Sequence, residues 1–181
     1  MKIVIASDLH GSAKYTEELL SFYKNQSAEK LILLGDLLYH GPRNALPDGY
    51  DCKSTAELLN SFSDEIIAVR GNCDSEVDQM LLDFPMLSDY AVIFDGKTEM
   101  FATHGHIYNK DKLPPLKDET VLLNGHFHVN ELSRNEKFFY VNPGSVSIPK
   151  RNMIRSCVVY ENGMFVLYSL EDGKILEQML L

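Results

Sequence analysis

The sequence predicts an α/β protein built from two packed, mixed β-sheets flanked by helices, and three observations carry that expectation. Short apolar runs alternate with amphipathic stretches in the first half, the pattern of βα units feeding a parallel sheet. In the second half, Asp95-Gly96, Asn162-Gly163 and Asp172-Gly173 each fall between β-rich segments, which marks hairpins. The strand-like runs together are too many for one comfortable open sheet, so two are expected.

Lys2–Ser7 reads as a buried strand, and Glu17, Glu18, Leu19, Leu20, Phe22 and Tyr23 lie in a segment with helical spacing. Lys30–Gly35 follows as the next buried strand. A polar loop with Gly and Pro runs from Asp36 to about Asp51; Ser54 can then cap a helix that reaches Ser61. Glu65–Arg70 makes a third strand, and Asp74–Phe84 reads as helix. Beyond it lie the strand-like runs Tyr90–Phe94, Met100–Thr103, Thr120–Leu123, Phe138–Val141 and Ser156–Tyr160. Residues 105–119, rich in Lys and Pro, are the expected mobile loop. With no repeat, low-complexity tract or linker, residues 1–181 are expected to form a single domain.

Composition removes several function classes. A chain that is 45% hydrophobic and 24% charged can bury a continuous core, which excludes intrinsic disorder. Seventeen Lys and Arg against 26 Asp and Glu leave a net charge of −9, so no stable nucleic-acid binding is expected. The apolar run before Asp8 is too short for a signal-peptide core or a membrane span. Cys52, Cys73 and Cys157 are odd in number and form no CxxC pair, which suits reduced thiols. A cytoplasmic protein with no membrane partner is the expectation.

The informative residues sit at strand ends. Asp8-Leu9-His10-Gly11 follows the first strand, Gly35-Asp36 closes the second, and Gly71-Asn72-Cys73-Asp74 follows the third. Thr103-His104-Gly105-His106 and Gly125-His126-Phe127-His128 follow two strands of the second half. Loops beyond the carboxyl ends of parallel strands converge on one crevice, so these motifs can meet in space. Asp8, His10, Asp36, Asn72, His104, His126 and His128 form a nitrogen and oxygen ligand set without an obvious thiolate, which suits Mn²⁺, Fe or Zn²⁺. Seven candidates oversupply one ion. Two ions about 3.5–4 Å apart, bridged by a carboxylate, use the set sensibly and point to phosphoester hydrolysis. Arg43, His40 and Asn44, in the loop after Asp36, are candidate substrate contacts, Arg43 foremost because a guanidinium matches phosphate oxygens in pairs. Lys150, Arg151 and Arg155 read as a solvated patch.

The ordered series DxH, GD, GNxD, HGH and GHxH resembles that of the calcineurin-like metallophosphoesterases across almost the whole chain. Residues 34–47, 69–80 and 142–150 are similar to the bacterial YfcE-type phosphodiesterases within that superfamily. The resemblance implies a four-layer αββα fold and two divalent metal ions, manganese above all. It implies one ion on Asp8, His10, Asp36 and His128, with Asp36 bridging to a second ion on Asn72, His104 and His126. The implied activity is hydrolysis of small phosphodiesters by a hydroxide bridging both ions, with Asp36 and Asn72 in the catalytic set. Many phosphomonoesterases of the superfamily carry a proton-donating His where this sequence has Cys73; His106 is the substitute candidate. A phosphomonoesterase of the same fold is the alternative. Another is a non-catalytic scaffold like the retromer subunit, which is eroded at metal positions as this chain is not. Asn142 and Ser145 are expected to support ligands, and a homo-oligomer is compatible with the sequence.

Overall fold

The computed structural model describes residues 1–181. Its first sheet has six strands, β1 (Lys2–Ala6), β2 (Lys30–Leu33), β3 (Ile66–Ala68), β9 (Ser156–Glu161), β10 (Met164–Ser169) and β11 (Ile175–Leu180), in the order β11-β10-β9-β1-β2-β3. The second has five, β4 (Tyr90–Asp95), β5 (Thr98–Thr103), β6 (Thr120–Leu123), β7 (Asn130–Arg134) and β8 (Phe138–Pro143), ordered β4-β5-β6-β8-β7. Strands β1, β2 and β3 run parallel, as do β5, β6 and β8, while the outer strands pair antiparallel.

Alternation along the strands explains the two cores. In β1, Ile3 and Ile5 point between the sheets, where they meet Met100, Ala102, Val121, Leu123 and Val141 of the second sheet. Val4 and Ala6 point the other way, onto Leu19, Leu20 and Tyr23 of α1 (Ala13–Asn25) and Leu59 of α2 (Cys52–Asn60). Burial on both faces is why β1 and β2 read as continuous apolar runs. The outer face of the five-stranded sheet carries Phe101, Leu122, Phe138 and Tyr140, packed against Tyr108 and Leu116 of the 105–119 segment. That segment, rather than a helix, forms the fourth layer, and its apolar side chains dock it on the sheet.

Local chemistry shifts several boundaries. Ser12 caps α1 by accepting from the N–H of Tyr15 at 3.2 Å. The cap of α2 is Asp51, not Ser54, because Asp51 Oδ1 accepts from Ser54 N–H at 3.0 Å. Where helix was expected over 74–84, only α3 (Glu76–Gln79) forms. Gln79 Nε2 donates to the carbonyls of Leu82 and Phe84, and its Oε1 accepts from Met86 N–H. That side chain thereby holds the following backbone out of the helix, and Pro85 could not continue one. Strand β7 is missed by the pattern because only Leu132 of its five residues is buried.

Candidate metal centre

All five motifs lie just beyond the carboxyl ends of parallel strands: β1, β2 and β3 in one sheet, β5 and β6 in the other. The facing sheets therefore bring two sets of strand ends to one edge of the sandwich. Asp8, His10, Asp36, His126 and His128 adopt left-handed backbone conformations, with φ of 57°, 48°, 54°, 66° and 55°. Such conformations cost energy in non-glycine residues and persist where the surroundings impose them, as at functional sites.

Hydrogen bonds fix which ring nitrogens face the centre. His10 Nδ1 donates to the Tyr39 carbonyl (2.9 Å), His128 Nδ1 to that of Ile148 (2.7 Å) and His104 Nδ1 to that of Leu34 (2.7 Å). A carbonyl can only accept, so each Nδ1 carries hydrogen and each Nε2 is left to the centre. His10 Nε2 and His128 Nε2 stand 3.2 Å apart, and Asp8 Oδ1 lies 3.6 Å and 3.2 Å from them. Around His104 Nε2 gather Asp36 Oδ2 (3.5 Å), Asn72 Oδ1 (3.2 Å) and His126 Nδ1 (3.3 Å). Asp36 Oδ2 is also 3.8 Å from His10 Nε2, so one carboxylate oxygen faces both clusters.

The opposite carboxylate oxygens are tethered. Asp8 Oδ2 accepts from His126 N–H at 3.0 Å, and Asp36 Oδ1 from Cys73 N–H at 2.8 Å. Asp8 Oδ1, buried, has no hydrogen-bond donor, an arrangement that costs free energy unless a cation answers it. Ligand atoms of Asp8, His10 and His128, and of Asp8, Asp36 and His104, all lie within 4.8 Å of one another. Convergent lone pairs with their second shell complete fit divalent cations. Cys73 Sγ shares a similar grouping with His10 and Asp36, but burial and the Asp36 charge push its thiol up to about 12.

The electrostatics follow from burial and these neighbours. Burial opposes the charge on Asp8, yet facing His10 and His128 hold it well below the carboxylate range. Burial likewise disfavours an imidazolium at His104, but Asp36 and Asp8 outweigh it and push His104 up to about 9. His126 is driven down to about 4 by burial and then by the His104 charge. The same two causes lower His106.

Close packing leaves no room for other side chains behind the ligands. A Cβ on Gly71 would stand 2.1 Å from Asp36 Oδ1, and one on Gly125 would stand 1.8 Å from Ser7 Oγ and 2.8 Å from Asp8 Oδ2. Behind Asp8, Ser145 Oγ and Ser147 Oγ donate to its carbonyl at 2.8 and 3.0 Å, and Asn142 Nδ2 donates to the Gly125 carbonyl at 2.9 Å.

A cleft of about 400 Å³ opens on the centre, and Arg43 and Asn44 border it together with Asp36, Asn72, Cys73, His126 and His128. His40 does not: its ring packs edge-on against Tyr39 and Tyr50, at 4.8 and 5.3 Å, away from the cleft lining. His106 stands beside His104, 5.4 Å between ring centroids, and is also outside the lining. Lys150, read from sequence as part of a solvated patch, borders the cleft, because its backbone N–H bonds the His128 carbonyl at 2.9 Å. Phe127 does too, a position its place between two candidate ligands could have signalled.

This fold, with paired histidine and carboxylate clusters at the ends of parallel strands, defines a binuclear metallohydrolase class, and the chain belongs to the calcineurin-like phosphoesterase superfamily. The family model, the calcineurin-like phosphoesterase superfamily domain, matches residues 1–162. Phosphodiesterase YfcE of Escherichia coli strain K12 is 44% identical over 179 residues, which covers 99% of this chain and 97% of that protein. The solved structure of YfcE, a phosphoesterase from E. coli, superposes with a TM-score of 0.97 at 43% identity, covering 99% of both chains. Wild-type Vps29 of Entamoeba histolytica, solved with zinc, shares the fold at a TM-score of 0.68 and 19% identity, over 99% of both chains.

Proposed function

We propose that residues 1–181 work as one metal-dependent phosphodiesterase domain acting on small phosphodiesters. The observation that carries this reading is Asp36 Oδ2, which faces His10 and His104 at once. Asp8, His10, Asp36 and His128 would hold one divalent cation, and Asp36, Asn72, His104 and His126 the other. Manganese suits this nitrogen and oxygen donor set, as do zinc and iron. Divalent cations held there bind phosphoryl oxygens and make water more acidic.

The protein's own groups then divide the work. Asp36 and Asp8 keep one oxygen each on a backbone N–H and turn the other to the centre, which fixes their orientation. Arg43 borders the cleft and can pair with phosphate oxygens. No strong proton donor lines the cleft: the Cys73 thiol is held protonated, and His106 is lowered and outside the lining. Departure without protonation suits diesters with acidic leaving groups, which supports a diesterase over a monoesterase. A scaffold would need none of the oriented histidines. No helix is long and apolar enough to cross a membrane, and a cytoplasmic location fits the three unpaired cysteines. A homo-oligomer remains compatible with this reading.

The test is hydrolysis by metal-stripped protein with Mn²⁺, Zn²⁺, Fe²⁺ or Mg²⁺ restored, on an aryl phosphodiester beside its monoester. Metal-dependent turnover that favours the diester supports the proposal. No turnover with any ion on either ester moves the reading to the scaffold.

A further inference from the structure

Arg43 and Lys150 border the cleft beside the metal-ligating residues, and neither belongs to any of the protein's ion pairs. In a chain of net charge −9, Asp36 is the only acid in that lining, and its free oxygen is committed to the centre. Lys150 is also held in place. Its N–H bonds the carbonyl of His128, its own carbonyl accepts from Met153 N–H at 3.1 Å, and Arg151 and Asn152 turn the chain with φ of 55° and 60°. A cation on a tight turn anchored to a ligand residue is presented to the cleft, not left to wander over the surface.

Charge balance shows what these cations are for. Two divalent ions against the carboxylates of Asp8 and Asp36 leave a surplus of two positive charges. A diester monoanion and a hydroxide nucleophile cancel that surplus. Arg43 and Lys150 then remain unanswered, two further positive charges at the cleft. Between the ligands His126 and His128, Phe127 presents a 39% exposed ring, its centroid 5.2 Å from that of His126. The lining is thus cationic around one apolar ring, and a neutral alkyl or aryl ester leaves its two cations without partners.

We infer that Arg43 and Lys150 select phosphodiesters whose esterified group carries a second anionic group, a carboxylate or another phosphate, near the scissile phosphate. Phe127 provides the apolar surface between them. The inference rests on the phosphodiesterase reading of the same centre and narrows its substrate class.

Binding of product-like monoesters tests it without turnover. Calorimetry on the Mn²⁺-loaded protein compares glycerol 3-phosphate with 3-phosphoglycerate, which adds a carboxylate. Wild type is expected to bind the carboxylate-bearing ester at least tenfold more tightly. In the Arg43→Met, Lys150→Met double variant the preference falls to threefold or less, and Lys150→Arg keeps most of it. Equal binding of the two esters by wild type, or an undiminished preference in the double variant, overturns the inference. If neither ester binds in a metal-dependent way, the phosphodiesterase reading itself fails, and the two failures are told apart by that control.

Discussion

Asp74 accepts the backbone N–H of Asp36 through Oδ2 at 2.8 Å, so one buried acid holds the backbone of the acid that faces both metal clusters. The same oxygen accepts from Gly71 N–H at 2.7 Å, and Oδ1 accepts from Leu37 N–H at 2.8 Å. Asp74 therefore ties the end of β2 to the end of β3. Asp74→Ala leaves three buried amides without acceptors, each a loss of about 1–3 kcal/mol when unanswered. A thermal melt should fall sharply. Asp74→Asn keeps the shape but replaces one accepting oxygen by a donor, and is expected to weaken metal binding by roughly 10–100-fold, the range for supporting groups behind ligands. Equilibrium dialysis against Mn²⁺ measures it.

Gly71→Ala acts from the other side. Its Cβ would fall 2.1 Å from Asp36 Oδ1, a contact relieved only by moving the carboxylate or parting the strand ends. Overpacking of this kind costs about 1–3 kcal/mol. The variant is expected to melt earlier and to bind fewer than the wild-type complement of ions, measured by elemental analysis after gel filtration.

Metal affinity should rise with pH. His104, pushed up to about 9 by Asp36 and Asp8 against the cost of burial, carries an extra proton at neutral pH. A cation must displace that proton, because a ligating imidazole is neutral. Below about 9 the apparent affinity is therefore expected to rise by roughly tenfold per pH unit for each proton released, with the gain levelling off above it. Titration calorimetry in buffers of different ionisation enthalpy counts the protons; an affinity flat from pH 6 to 9 would contradict this origin.

Leaving groups report the proton donor. With the Cys73 thiol pushed up to about 12, rates should fall steeply as the leaving group becomes more basic. Cys73→His places an imidazole at the cleft and should flatten that dependence, raising turnover of esters with basic leaving groups. The slope of log kcat/KM against leaving-group pKa, for wild type and variant, is the measurement.

Much of this centre is legible in the sequence because each motif occupies a strand end, where a buried apolar run gives way to glycine and a ligand-type side chain. The two-sheet fold follows from the same runs and from three Xaa-Gly turns that do close hairpins. Long-range polar contacts are what pattern reading misses. Nothing local marks Gln79 as the residue that ends α3, since its partners Leu82, Phe84 and Met86 are reached by folding back. Strand β7 hides because an edge strand needs few apolar residues. His40 looks like a substrate contact beside Arg43, yet one residue of chain direction sends its ring onto Tyr39 and Tyr50 instead of the cleft. Lys150 looks solvated because its tie to His128 spans 22 residues.

Electron paramagnetic resonance of the Mn²⁺-loaded protein tests the central claim, that Asp36 joins two ions in one centre. Wild type at full activity is expected to bind two ions and give an exchange-coupled spectrum, since bridged ions lie about 3.5–4 Å apart. Asp36→Asn should lose the coupling together with about three orders of magnitude in turnover, roughly 4 kcal/mol of transition-state stabilisation. The spectrum of isolated, uncoupled Mn²⁺ from fully active wild type, or full activity in Asp36→Asn, would contradict the account.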